Sequence, residues 1–387
     1  MPHPVDSKTA YQDYHHTPRV TQDAHGEWHV HGYQEAKQLL QEDLRQAGFN
    51  ADAVLAAGLS PVLYQHGEKH REQRKHLAKF FNPTTVSKKH TATMERMADE
   101  ILADFKAKKR VDLNEMTVRM ALNVMCVIVG LKPSEGLLAR FNNMLHAPPE
   151  PKTAFGKWWL TNVEGNLRRF RFLWFDVLPA IRARKKNPQE DVITYMLDSK
   201  QTTMEIWAEC LVYGAAGIAT TQEFISAAFW HIRQRPELQE ILRNGDEDAR
   251  MKMLHEILRL EPVIGKIYRK STAPITITSE GETLTIPENS LIHFYVYDGN
   301  ADEQATGACP YHLKTDREVG RGVSRSLLSF GAGPHRCAGE FVALYESDIF
   351  LRKLFALPLH VESGPDVARN PHVEGYEFRN YWLVLDE

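Results

Sequence analysis

Apolar residues along this chain recur mostly with the period of a helix. Met94 to Phe105 places them on one stripe, which predicts an amphipathic helix. Met116 to Val129 is apolar nearly all round and predicts a buried one. Thr203 to Arg233 holds no proline and is followed by Pro236. At 1.5 Å per residue it predicts a single helix of roughly 45 Å, long enough to cross a whole domain. Phe341-Val342-Ala343-Leu344 and Ile349-Phe350-Leu351 predict a further buried helix. Strand-like alternation is confined to Trp28–Tyr33, Ile275–Ile286 and Ser290–Val296, with turn signals at Gly281 and Glu288-Asn289. The expectation is a mainly α fold with a small β-region, as one domain over residues 1–387. Its β-rich parts fall near 28–34 and 273–297, and the remainder is helical.

Two stretches interrupt this pattern. Asn50 to Gln65 mixes Ala, Gly, Ser and Pro with Leu and Val, and predicts a loop with a short helix. Pro148-Pro149-Glu150-Pro151 breaks the helical run between Lys88 and Lys200. Phe155, Trp158, Trp159, Phe170, Phe172, Trp174 and Phe175 follow it.

Composition narrows the partners. Of the 387 residues 43% are hydrophobic, ample for a core, and the net charge of −3 argues against nucleic acid. Cys126, Cys210, Cys309 and Cys337 stand far apart with no C-x-x-C pair, which fits a reducing compartment and not a zinc cage. Met1 to Thr21 is polar and has the character neither of a signal peptide nor of a membrane anchor. The expectation is a soluble, cytoplasmic protein with no membrane partner.

The chemistry concentrates in Phe330-Gly331-Ala332-Gly333-Pro334-His335-Arg336-Cys337-Ala338-Gly339. The glycines permit a close approach to the backbone or a positive φ, and Pro334 stiffens the turn. Cys337 stands just before the buried helix at Phe341, where N–H groups and the helix dipole favour a thiolate over a thiol. A thiolate in a Gly-rich loop is what a haem iron needs as a proximal ligand. Upstream, His70 and Arg74 are spaced i,i+4 and share a helix face. Two such donors suit a carboxylate or phosphate, or form part of a solvated basic face. Within the long helix, Tyr213-Gly214-Ala215-Ala216-Gly217-Ile218-Ala219-Thr220-Thr221 holds two glycines, each costing about 1 kcal/mol relative to Ala. Ala216 and Thr220, with Gly217 beside them, would flatten one face and leave it one hydroxyl. That face suits a large planar group or close helix packing.

The pattern F-G-x-G-x-H-x-C-x-G around Cys337 resembles the haem-binding loop of the cytochrome P450 family. The resemblance runs from about Trp28 to the C-terminus and matches the soluble bacterial type. It implies the cytochrome P450 fold, a triangular helical prism with haem b between the long central helix and the Cys loop. Cys337 is then the axial thiolate and metal ligand, Phe330, Gly331 and Gly339 pack about it, and His70, Arg74, Arg269 and His335 hold the propionates. Thr220, Ala216 and Gly217 correspond to the oxygen-activating segment, although Ala219 stands where the family usually has an acid. Glu256 and Arg259 resemble the structural E-x-x-R pair, with His312 positioned to join Glu256 where many members carry arginine.

Leu59, Val62, Leu63, Tyr213, Val263, Ile264 and Ile267 are candidates for the substrate pocket. Leu59, Val62 and Leu63 equally suit loop anchoring. The aromatic stretch from Phe155 to Phe175 resembles the mobile lid of the family, or is core. Lys69, Arg71, Lys75 and Lys79 would lie on the proximal surface, where an acidic ferredoxin docks. The implied activity is insertion of one oxygen atom from O2 into a small, mostly apolar organic substrate. A haem-thiolate reductase acting on nitric oxide, a peroxide-driven enzyme, and a non-catalytic haem ligand sensor are the other readings.

Overall fold

In the computed structural model, which describes residues 6–9, 18–49, 51–56, 58–145, 153, 159–370 and 373–386, two clusters of buried side chains organise the chain. The larger is helical and is built round the helix Thr203–Arg233. That helix has the bounds the sequence predicts. A capping box starts it: Glu205 N–H donates to the Thr202 hydroxyl at 3.3 Å, and Thr202 N–H donates to the Glu205 carboxylate at 2.7 Å. The nearly all-apolar helix Leu113–Val129 packs along it. Gly214 is explained by this packing, since a Cβ there would lie 2.1 Å from the Phe141 ring. The helix Thr91–Lys108 turns Met94, Met97, Ile101 and Phe105 into the same core, and Glu340–Phe355 packs across it.

The smaller core lies beneath a five-stranded sheet in the order Val20–Gln22, Trp28–Val30, Leu291–Tyr295, Lys266–Ser271, Leu44–Gln46. Its registers set Gln46 opposite Arg269 and Ile292 opposite Arg269 on the other side. The expected β-region is thus present, with Ile275–Ser279 and Glu282–Ile286 forming a separate hairpin. The C-terminal strands lie outside the expected β-region. Leu359–Ser363 and Trp382–Leu385 pair with each other and with Arg110–Asp112, and Asp366–Asn370 pairs with Gly375–Arg379. Asp366–Asn370 buries neither face. Alternation is a signal only where one face of a strand is buried.

The E-x-x-R pair is confirmed and its third member corrected. Glu256 and Arg259 are buried and joined at 2.8 Å. Arg317, and not His312, completes the cluster, with its Nε 2.9 Å from Glu256. His312 Nδ1 lies 3.6 Å from Asp6 instead, while its carbonyl accepts from Arg317 at 2.6 Å. A guanidinium serves here because its fork of donors also reaches the carbonyl of Thr306. An imidazole has two nitrogens and could not make that set.

Of the expected lid, Phe155 and Trp158 lie outside the described residues. Phe172 is core, packed edge-on against Phe141 with centroids 5.0 Å apart. Trp159, Phe170, Trp174 and Phe175 are exposed. Among the described residues no helix is long and apolar enough to cross a membrane.

Candidate active site

The Cys loop is shaped by two left-handed glycines, Gly331 at φ +67° and Gly333 at φ +65°. A Cβ on Gly333 would lie 1.8 Å from the Leu40 carbonyl, so only glycine lets the loop reach the sheet-side core. The loop closes where Cys337 N–H donates to the Phe330 carbonyl at 2.8 Å. Gly339 then begins the helix Glu340–Phe355, and its N–H is directed at the Cys337 sulfur. Cys337 is solvent-accessible although it lies deep in the protein. Burial pushes the Cys337 thiol up, against the opposing pull of Gly339 N–H, Arg74 and Arg336. A thiolate at this depth calls for a cation bound to it.

Three separate elements bring the other expected haem residues together. The helix Gly67–Phe81 carries His70 and Arg74. The imidazoles of His70 and His335 stack with centroids 4.0 Å apart, and Arg74 Nη2 donates to the Arg336 carbonyl. The strand Lys266–Ser271 supplies Arg269. Burial lowers Arg269 to about 10, and burial lowers His335 to about 3, with Arg269, His70 and Arg74 adding to it. His70 falls to about 4, by burial and Arg74. The buried Arg269 has no carboxylate partner among the described residues; it donates to Gln46 Oε1 and the Tyr268 carbonyl. Gln46, outside the expected set, has a buried Nε2 with no acceptor among the described residues. An unpaired buried cation is costly. This donor set fits a group that carries carboxylates inward, as the haem propionates would.

On the central helix, the Thr220 hydroxyl donates to the Ala216 carbonyl at 2.6 Å. Ala216 is exposed although the helix runs through the core. A Cβ on Gly217 would lie 3.4 Å from Met125 Cγ, so that glycine stands against the neighbouring helix.

Glu346 was missed. It lies on the helix after the Cys loop, is buried, and accepts a hydrogen bond from the Thr221 side chain. Burial holds its carboxyl well above the usual range, and Oε2 has no partner among the described residues. The readable signal was acid within an apolar run, Glu346 to Asp348 between Leu344 and Ile349.

The pocket candidates separate into two groups. Ile267 Cδ1 lies 3.8 Å from where a Cβ on Gly331 would be, so it borders the Cys loop. Val263 is buried and Ile264 half-buried on the approach to that strand. Val62 and Tyr213 belong to contacts between the central helix and the His70–Arg74 region. Val62 N–H donates to Glu209, and Tyr213 stacks on Phe81 at 5.7 Å. Leu59 and Leu63 are half-buried. Lys69, Arg71, Lys75 and Lys79 are all exposed, as expected of a basic surface.

A family model described as Cytochrome P450 matches residues 4–357. A putative cytochrome P450 of Bacillus subtilis (strain 168), YjiB, is 22% identical over 87% of this chain and 83% of its own length. P450BioI, solved in complex with hexadec-9Z-enoic acid ligated acyl carrier protein, superposes with a TM-score of 0.76 at 20% identity, covering 95% of each chain. CYP109B1 from Bacillus subtilis superposes with a TM-score of 0.75 at 19% identity, covering 95% of this chain and 96% of the other.

Proposed function

The chain belongs to the cytochrome P450 family, and on that premise we propose that it acts as one unit, a haem-thiolate monooxygenase oxidising a small, mostly apolar organic molecule. The observation that carries this reading is the cluster of the buried His70 and Arg269 with the half-buried Arg74 and His335, which has no carboxylate ion-pair partner among the described residues and lies beside the Cys337 loop. Cys337 would ligate the iron of haem b. His70, Arg74, Arg269 and His335 would hold its propionates, with Gln46 adding a donor. Phe330, Gly331 and Gly339 would pack about the sulfur. Thiolate-ligated haem supplies activation of dioxygen and favours O–O cleavage.

The chain's own contribution is substrate placement and protons. Leu59, Val62, Leu63, Tyr213, Val263, Ile264 and Ile267 would line the chamber and exclude water. Thr220, fixed by its bond to Ala216, would present its oxygen towards the chamber, with Gly217 keeping the helix close to its neighbour. Ala219 cannot hold a proton. Glu346 would offer one: burial raises its carboxyl well above the usual range, and it accepts from Thr221, the residue beside Thr220. Electrons would come from a ferredoxin-type partner docking on the exposed Lys69, Arg71, Lys75 and Lys79.

The test is NADH consumption by the haem-loaded protein with a surrogate ferredoxin and reductase, across compounds that shift the Soret band. Substrate-dependent consumption with oxygenated product supports the reading. NADH oxidation by nitric oxide without ferredoxin would replace it with a reductase, turnover on peroxide alone with a peroxide-driven enzyme, and ligand shifts without any turnover with a sensor.

A further inference from the structure

Glu209, on the central helix before Tyr213, is buried. Its Oε1 accepts from the Val62 backbone N–H at 2.7 Å and from Gln73 Nε2 at 2.8 Å. Three segments therefore meet on one oxygen: the central helix, the Pro61–Gln65 turn, and the helix that carries His70 and Arg74. Both donors are neutral. Glu209 Oε2 has no partner among the described residues, and neither does Gln65 Oε1 on the same turn. The Glu209 charge acts on Cys210 and Tyr213 of its own helix. Arg74, from the facing helix, acts on Tyr213, and the turn itself contributes only Tyr64. A buried acid with one satisfied oxygen and no cation is a network held at small net gain.

We propose that Glu209 is a positioning residue for the substrate chamber, holding the Pro61–Gln65 turn against the central helix and so setting the place of Val62 and Leu63. This rests on the reading of Val62 and Leu63 as chamber lining. The sign of its pH response follows from its surroundings. Burial raises the Glu209 carboxyl from 4.5 to about 7. The closed turn therefore keeps a proton that a lifted turn, with Glu209 hydrated, would release. Opening becomes easier as pH rises across that window and levels off above it.

The experiment is hydrogen–deuterium exchange of a peptide spanning residues 59–66 in the haem-loaded full chain, from pH 5.5 to 8. Uptake is divided by that of the unfolded chain at each pH. In the wild type protection should fall, by up to roughly tenfold per pH unit, and level near pH 7. In Glu209→Gln it should not vary with pH, and peptides from Glu340–Phe355 should respond equally in both proteins. A wild-type profile that is flat, or one shared with Glu209→Gln, overturns the proposal. If that variant does not fold, Gln73→Met keeps the acid and removes one donor. Its levelling point should move above that of the wild type, and an unmoved point overturns the proposal equally. Both measurements read amide exchange and not turnover, so they stand whatever reaction the haem carries out.

Discussion

The imidazoles of His70 and His335 stack at 4.0 Å with 16° between their planes, although one lies on a helix and the other in the Cys loop. Both are held neutral by burial and by the cations about them, at about 4 and about 3. Two neutral rings within the field of Arg74 and Arg269 add donors without adding charge.

That pairing sets the acid response of the apoprotein. Each histidine has a folded value below its ordinary 6.5. The folded state therefore binds fewer protons than the unfolded chain. Stability is full above pH 6.5 and is lost as pH falls towards 4 and 3. Carboxylates brought in by haem would raise both values. The apoprotein's Tm should fall across this window and that of the haem-loaded protein should fall less. Parallel curves would refute a propionate role for the pair.

Cys337→Ser should abolish the thiolate-type ferrous–carbon monoxide spectrum, while Cys126→Ser, Cys210→Ser and Cys309→Ser should keep it. Of the other three, Cys126 and Cys210 are buried in the core. Retention of that spectrum in Cys337→Ser would displace the central assignment.

Arg269→Ala should weaken haem retention. A charge-assisted bond contributes about 1.5–3 kcal/mol, so haem transfer to an apo-globin acceptor should be about ten- to a hundredfold faster than from the wild type if association is unaffected. Equal transfer rates would return Arg269 to a structural role beside Gln46.

Arg317→Met should cost about 3–5 kcal/mol in urea unfolding, because it leaves Glu256 short of a partner in a buried cluster. His312→Ala should cost far less, since only the His312 carbonyl serves that cluster. Equal costs would reinstate the histidine.

Glu346→Gln and Thr220→Ala should each raise peroxide released per NADH consumed. The first removes the buried carboxyl bonded to Thr221, and the second removes the hydroxyl fixed on Ala216. An unchanged ratio in Thr220→Ala would make it a packing residue and move the reductase and sensor readings forward.

Periodicity and local spacing were sufficient for much of this molecule. The central helix, the buried helix Leu113–Val129, the Gly-rich Cys loop and the His70–Arg74 face are each legible because the signal lies within one element. A left-handed glycine or an i,i+4 pair needs no distant partner to be read. What depended on chain crossing was not legible. Arg317 displaced His312 because a fork of donors fits carbonyls from separate loops. Glu346 reached Thr221 because two distant helices cross. Burial opposes the pull of the helix terminus on the Cys337 thiol, since desolvation is set by every neighbour and a helix terminus by only a few. Sequence alone thus determined which groups stand beside one another along a helix or turn. Tertiary structure decided which buried charges are paired, because pairing and desolvation depend on the packing of segments far apart in the chain.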